Sequence, residues 1–314
     1  MAKSEIRKHY FKDDYVIVAP ARAKRPHLAN KVIEAPGVCH FCPKNFVNET
    51  VTYVDNNQSG DWEIVSVLNK FAALSKDNPD AMGQAEVIIE TREHGMDIND
   101  FSINHIVRIF NAYIDRFADL RNMDGIKHVI VFKNEGGKAG DSIVHTHSQV
   151  MALPILPLKI EDEAKAYAKY RLENSTCPYC DIIVKETGKS RVIWEDENIF
   201  ALAPYASDSP YGVWLLPKRH VRFLSELTRG EKESMAMALK MVLGKLDEFG
   251  ISYNYFIENS VNMEDYHMFI KIAPRPDVWG GLEMGTGVII NAITPEFAVR
   301  FYRGEVKIDS NPTF

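Results

Sequence analysis

Cysteine is scarce, with four in 314 residues. That excludes the disulfide-dense secreted scaffolds in which bridges stand in for a core. Long apolar runs are also missing. No stretch approaches the ~18 consecutive apolar residues of a membrane-crossing helix, and the opening MAKSEIRKHY lacks the apolar block of a secretory signal. Neither sign of charge is in large excess: 37 basic residues against 43 acidic ones leave a net charge of −6, so no global field favours nucleic acid or an anionic membrane. Glycine (18) and proline (15) are too sparse for a collagenous or low-complexity chain. What is present is 46% hydrophobic and 25% charged residues, enough for a sizeable core and, at this length, about two domains. The expectation is a cytoplasmic protein with no nucleic-acid or membrane partner.

The four cysteines form two CxxC pairs, Cys39-His-Phe-Cys42 and Cys177-Pro-Tyr-Cys180. Without an export signal, such pairs are metal clamps or redox dithiols more often than structural disulfides. A redox dithiol follows a strand and opens a helix, whereas Glu34-Ala-Pro-Gly-Val before Cys39 reads as a turn. The metal reading therefore leads, provided that each tetrahedron can be completed.

Completing the tetrahedra exposes a repeat. His94 and His145 follow the first pair, and His220 and His267 follow the second. His94 comes after the strand-like run Val87-Ile-Ile-Glu-Thr, and His220 after Val213-Trp-Leu-Leu-Pro. Each is trailed by an amphipathic segment, 103–120 or 231–249, with apolar residues at helical spacing, as at Ile106, Ile109, Phe110, Tyr113 and Phe117. Each half then has another strand, 127–133 or 253–258, and reaches its second histidine at the head of an apolar run, 145–153 or 267–273. This order predicts a duplicated α+β unit of antiparallel strands with one long helix. The join falls near Leu153-Pro-Ile-Leu-Pro157, giving domains at 1–156 and 157–314. Taken singly, a CxxC pair or a lone histidine on an apolar strand is usually core or surface; two sets in the same order argue for at least one zinc. Four protein ligands leave no open position, so such metals are structural.

The chemistry concentrates in His145-Thr146-His147-Ser148-Gln149, preceded by Asn134-Glu-Gly-Gly-Lys-Ala-Gly-Asp-Ser142. On a strand, alternate side chains share a face, which predicts that His145, His147 and Gln149 project together. A neutral imidazole is a competent nucleophile toward phosphorus. The Gln149 amide on that face can donate to a phosphate oxygen, and the glycines let backbone N–H groups approach it, with the Ser142 hydroxyl adding a donor. The bland reading is a glycine-rich turn linking two strands beside a solvated or metal-bound pair of histidines. The second half provides an internal control: His267-Met-Phe269-Ile-Lys271 keeps the metal-type histidine but has phenylalanine in place of His147, and its lead-in lacks glycine. Only the first half is expected to hold a nucleophile. Two weaker signals are Arg22 and Arg25 in Ala19-Pro-Ala-Arg-Ala-Lys-Arg-Pro, able to clamp phosphate or simply solvated, and Asn69, placed to bond a base or ribose.

These pieces, together with LLPKRH, YHMFIKIAPR and GGLEMGTG at 280–287, resemble the galactose-1-phosphate uridylyltransferase family of the histidine-triad superfamily, including its ADP-glucose phosphorylase branch. The resemblance spans nearly the whole chain, with Thr146 replacing a proline common between the two histidines. It implies two tandem histidine-triad-like domains, each a half-barrel of antiparallel strands, usually assembled as a homodimer. It also implies ping-pong transfer of a nucleoside monophosphate through a histidine. Carried over, His147 is the nucleophile and Gln149 the phosphate-stabilising amide. Arg22, Arg25, Asn69, Asn134 and Ser142 contact the nucleotide, and Glu283 and Thr286 face the sugar. The zinc sets are Cys39, Cys42, His94, His145 and Cys177, Cys180, His220, His267, with iron able to replace zinc in one.

The expected function is transfer of UMP from UDP-glucose to a hexose 1-phosphate, galactose 1-phosphate first among them, with nucleotide sugar and hexose 1-phosphate as partners. The alternatives are an ADP-glucose or diadenosine-polyphosphate phosphorylase, and a zinc-stabilised nucleotide-binding module without catalysis.

Overall fold

Ten short segments rich in β-branched and aromatic residues pair into a single sheet, some alternating buried and half-buried positions and others buried throughout. The computed structural model describes residues 5–13, 15–18, 39–47, 49–141, 143–259 and 265–306. A small three-stranded sheet joins β1 (Glu5–Lys8), β2 (Tyr15–Val18) and, parallel to β2, the late strand β13 (Ile289–Asn291). The large sheet takes five strands from each half. The first half supplies β3 (Val51–Asn56), β4 (Trp62–Leu68), β5 (Gln84–Ile89), β6 (His128–Glu135) and β7 (His147–Leu153). The second supplies β8 (Val192–Glu195), β9 (Ile199–Leu202), β10 (Val213–Pro217), β11 (Tyr253–Glu258) and β12 (Phe269–Pro274).

Their spatial order is β3-β4-β5-β7-β6-β11-β12-β10-β9-β8. Read inward from either edge, the order repeats, and the halves meet at the antiparallel pair β6–β11, from Tyr253 opposite Glu135 to Ile257 opposite Val131. An α+β architecture with antiparallel sheets is what the repeat demanded.

One face of this sheet is closed by α1 (Ile103–Arg121) and α4 (Arg229–Glu248), which pack against each other. Ser102 caps α1 by accepting from the His105 N–H at 3.2 Å, and Thr228 and Glu231 form a reciprocal capping box on α4. From α1 the residues Ile106, Ile109, Phe110, Tyr113, Phe117 and Leu120 are buried, and from α4 Leu239, Val242, Leu243 and Leu246. At roughly 1.5–3 kcal/mol per fully buried large side chain, this layer is the main source of cohesion. It runs unbroken across both halves.

The opposite face differs between halves. In the first it carries the cluster Val65, Val67, Val87 and Ile89. In the second it is covered by α2 (Leu158–Asn174) and α3 (Pro178–Glu186) over an aromatic cluster that includes Tyr167, Tyr179, Trp214 and Phe269. The chain finishes with α5 (Gly281–Thr286) and α6 (Pro295–Tyr302). Among the described residues no helix is long and apolar enough to cross a membrane.

Two local expectations shift. His145 and His267 lie just before β7 and β12 rather than inside them, so the shared strand face belongs to His147 and Gln149 alone. The 17-residue helix α2 after the join carries no strong apolar stripe, burying only Glu163 and Tyr167, so its periodicity did not announce it.

Candidate active site

The two metal-type groups assemble as the repeat required. Cys39, Cys42, His94 and His145 bring their ligand atoms within 4.8 Å of one another, and so do Cys177, Cys180, His220 and His267. In the first group the Nδ1 of His145 lies 3.6 and 3.7 Å from the two sulfurs, and the Nδ1 of His94 lies 3.7 Å from Cys42 Sγ. In the second, Cys180 Sγ is 3.4 Å from the Nδ1 of both His220 and His267, with Cys177 Sγ 3.9 Å from His267. A tetrahedral ion bound by thiolate and imidazole sets sulfur and nitrogen about 3.6 Å apart. The orienting bonds agree: His145 Nε2 donates to the Thr91 carbonyl at 2.8 Å, and His267 Nε2 to the Pro217 carbonyl at 3.0 Å, turning each Nδ1 toward the thiols. The donor sets therefore fit a metal, which would tie the CxxC turn to the strand that follows the histidine.

His147 is in neither group. Its Nδ1 is 3.0 Å from the His145 carbonyl oxygen. A carbonyl can only accept, so Nδ1 carries the proton and Nε2 keeps the lone pair. Among the described residues Nε2 makes no hydrogen bond; it lies 4.0 Å from Asp141 Oδ1. Burial lowers the ring's proton affinity, and the nearby Lys133 charge lowers it further, so the ring is neutral at neutral pH. Phe41 presents its edge 5.3 Å away. Gln149 is two residues along β7, opposite Phe132 of β6 and Val87 of β5, and so on the same face, away from α1 and α4.

Asn134, at the end of β6, accepts at its Oδ1 from Asn254 Nδ2 at 2.8 Å, and Arg275 Nε donates to Asn254 Oδ1 at 3.0 Å. A chain of donors from the second half thus fixes this amide. Asn69 follows β4, where its Oδ1 accepts from the Phe71 N–H at 2.9 Å. In the glycine-rich turn, Gly136 has φ +79° and a Cβ there would collide with Ser252, so only glycine fits. Arg22, Arg25 and Ser142 lie outside the described residues. Glu283 and Thr286 line a separate cavity of the second half.

Sequence reasoning missed the polar cluster beneath this strand. On the helix side of the sheet, Lys133 is fully buried and lies 2.9 Å from Glu90, 3.3 Å from Asp97 and 3.5 Å from Glu135. It also donates to the Thr146 hydroxyl, which explains the residue between the two histidines: a proline there could offer no hydroxyl. Burial opposes the ammonium, but the Coulombic pull of Glu90, Asp97 and Glu135 keeps it charged. Burial also pushes the Glu135 carboxyl up to about 8. Tyr113 donates to Glu90 at 2.7 Å, and Tyr253 from the second half to Asp97 at 2.7 Å. One signal was legible: Lys133 stands at an inward position of β6, in line with Val129 and Val131.

Known proteins share this sequence pattern and fold. Residues 22–156 match the model described as a domain of unknown function, the DUF4931 N-terminal domain. Over 326 residues, covering 95% of this chain and 98% of the relative, the sequence is 30% identical to a galactose-1-phosphate uridylyltransferase of Thermotoga maritima. It is 29% identical to an ADP-glucose phosphorylase of Arabidopsis thaliana, covering 95% of this chain and 92% of that one. The crystal structure of an Arabidopsis thaliana ADP-glucose phosphorylase with bound ADP-glucose superposes with a TM-score of 0.85 at 29% identity, covering 97% of this chain and 100% of that one.

Proposed function

The chain belongs to the galactose-1-phosphate uridylyltransferase family of the histidine-triad superfamily, and from that membership we propose that it moves UMP from UDP-glucose to a hexose 1-phosphate, galactose 1-phosphate being the acceptor. It is a nucleotidyltransferase, and the carrying observation is a neutral His147 whose Nε2 makes no hydrogen bond among the described residues, on the face it shares with Gln149. The Nε2 lone pair attacks the α-phosphorus, a P–N bond forms, and the P–O bond to glucose 1-phosphate breaks with its electron pair leaving on the phosphate oxygen. The incoming hexose 1-phosphate reverses these steps through its own phosphate oxygen, and the electron pair of the P–N bond returns to Nε2. The His145 carbonyl stabilises the positive Nδ1–H that develops during attack, while the Gln149 amide donates to a non-bridging oxygen. Arg22, Arg25, Asn69, Asn134 and Ser142 are assigned to the nucleotide.

In this reading the metals are zinc, iron being admissible in one site, and their role is to hold His145 and His267 in place. The chain divides into tandem histidine-triad-like domains at 1–156 and 157–314, working as a cytoplasmic homodimer. Glu283 and Thr286 would then reach the sugar from the second copy. Likeness to the ADP-glucose-bound enzyme favours a second reading, in which inorganic phosphate takes AMP from ADP-glucose.

Intact-mass measurement after incubation with UDP-glucose, and separately with ADP-glucose, decides between them by whether UMP or AMP is retained. His147→Ala is expected to retain neither and to lose exchange while unfolding at the wild-type temperature. Turnover of that variant near the wild-type rate would sink the assignment.

A further inference from the structure

The register of the large sheet shows where the second half keeps its counterpart of the active site. Gln149 is opposite Phe132 on β6 and Val87 on β5; Lys271 is opposite Phe256 on β11 and Trp214 on β10. Lys271 therefore stands for Gln149, Phe269 for His147, and Trp214 for Val87. Two residues beyond Phe132 is Asn134, and two beyond Phe256 is Glu258. Val67, opposite Val87, leads to Asn69, as Leu202, opposite Trp214, leads to Pro204. All five counterparts, Phe269, Lys271, Trp214, Glu258 and Pro204, line a single cavity of about 460 Å³. That volume is within the range of small-molecule sites.

The cavity's chemistry differs from that of its twin. Lys271 pairs with Asp208 at 2.5 Å, and Lys12 lies 3.3 Å from Glu163. Lys159 also lines it and, among the described residues, has neither a hydrogen bond nor an ion pair. It stands second in α2, where the helix dipole disfavours a cation. Repulsion from Lys271 is the largest cause lowering its proton affinity. An anion seated between the two ammonium groups relieves both penalties. Carboxylates of Glu258 and Asp208 beside them can accept hydrogen bonds from ligand hydroxyl groups, and Trp279, 45% exposed on the cavity wall with the Arg275 guanidinium 4.6 Å over its ring, has its remaining surface to offer to a sugar ring.

We propose that this cavity is a second, non-covalent site for a small sugar phosphate, with the phosphate between Lys159 and Lys271 and the ring against Trp279. Phe269 has no nucleophilic atom, so the ligand is held and not transferred. The inference does not rest on the transfer reaction, because Lys159, Lys271 and Trp279 belong to the second half alone.

The test is calorimetric titration of the full-length protein with glucose 1-phosphate and, separately, with inorganic phosphate. Glucose 1-phosphate is expected to show a binding component that Lys159→Glu weakens by about tenfold or more and that His147→Ala leaves unchanged. Trp279→Ala is expected to weaken the same component without affecting inorganic phosphate. UMP or AMP adduct formation should be unaltered by Lys159→Glu, whose side chain is exposed. The proposal is overturned if no component depends on Lys159, if inorganic phosphate binds as tightly as glucose 1-phosphate, or if Lys159→Glu also abolishes the adduct. Failure of the wild type to form any adduct would instead count against the transfer reaction and leave this site standing.

Discussion

Nδ1 of His147 satisfies the His145 carbonyl only while it carries a proton, so the backbone just upstream of β7 sets which nitrogen keeps its lone pair. That is visible only in three dimensions, although the alternation placing Gln149 beside it is already in the sequence. Lys133 shows the reverse case: the alternation of β6 puts it inward with Val129 and Val131, yet only the fold reveals the four polar partners that allow its full burial. Glu163 in α2 is a comparable buried charge. Burial would raise its carboxyl, but Lys12 and hydrogen bonds from Tyr179 and Tyr266 hold it down to about 2 from 4.5. A depressed carboxyl contributes its stability in full above the unfolded value, and that contribution disappears as pH falls from about 4.5 through 2, on the order of 3 kcal/mol here. Glu163→Gln is therefore expected to lower the unfolding temperature at pH 6 and to flatten its acid dependence. Circular-dichroism melts should converge with wild type near pH 2; parallel curves down to that pH would refute the assignment.

At the scale of elements, the first CxxC turn has little apolar surface to hold it, whereas Cys177 and Tyr179 of the second sit in the aromatic cluster. Of Cys39 and Cys42 neither is fully buried, and the 3-10 turn after them, Pro43–Asn45, buries nothing. A metal held by Cys39, Cys42, His94 and His145 would supply the missing cohesion by joining the first turn to the histidine before β7, and one held by the second group would likewise join its turn to the histidine before β12. The protein is expected to carry two metal equivalents and Cys177→Ser one, by elemental analysis of the purified chains. Metal content unchanged in that variant would contradict the ligand set. The helices α1 and α4 were legible because a one-sided apolar stripe is a local property. By contrast α2 was not, since it buries chiefly Glu163 and Tyr167.

For the whole molecule, the two halves share one sheet and one core. Tyr253 and Tyr255 of β11 reach Asp97 and Tyr113 of the first half, at 2.7 and 2.5 Å, and the hydrophobic layer under α1 and α4 crosses the join. Residues 1–156 alone would expose β6 as an unpaired edge strand and strip Asp97 of the Tyr253 hydroxyl. Scanning calorimetry and sedimentation of that fragment are expected to show no cooperative transition and self-association. A monomeric fragment melting cooperatively would show that each half folds by itself.

The sequence by itself determined the repeat, both Cys2His2 groups, the two long helices, and the asymmetry between His147 and Phe269, because each depends on residue identity and local period. Only the tertiary structure decided that the halves join edge to edge through β6 and β11, that the charged cluster lies beneath the strand of His147, and that Lys159 and Lys271 line the same cavity. These are contacts between segments distant in the chain, and their energies depend on burial and mutual charge, which no local pattern encodes.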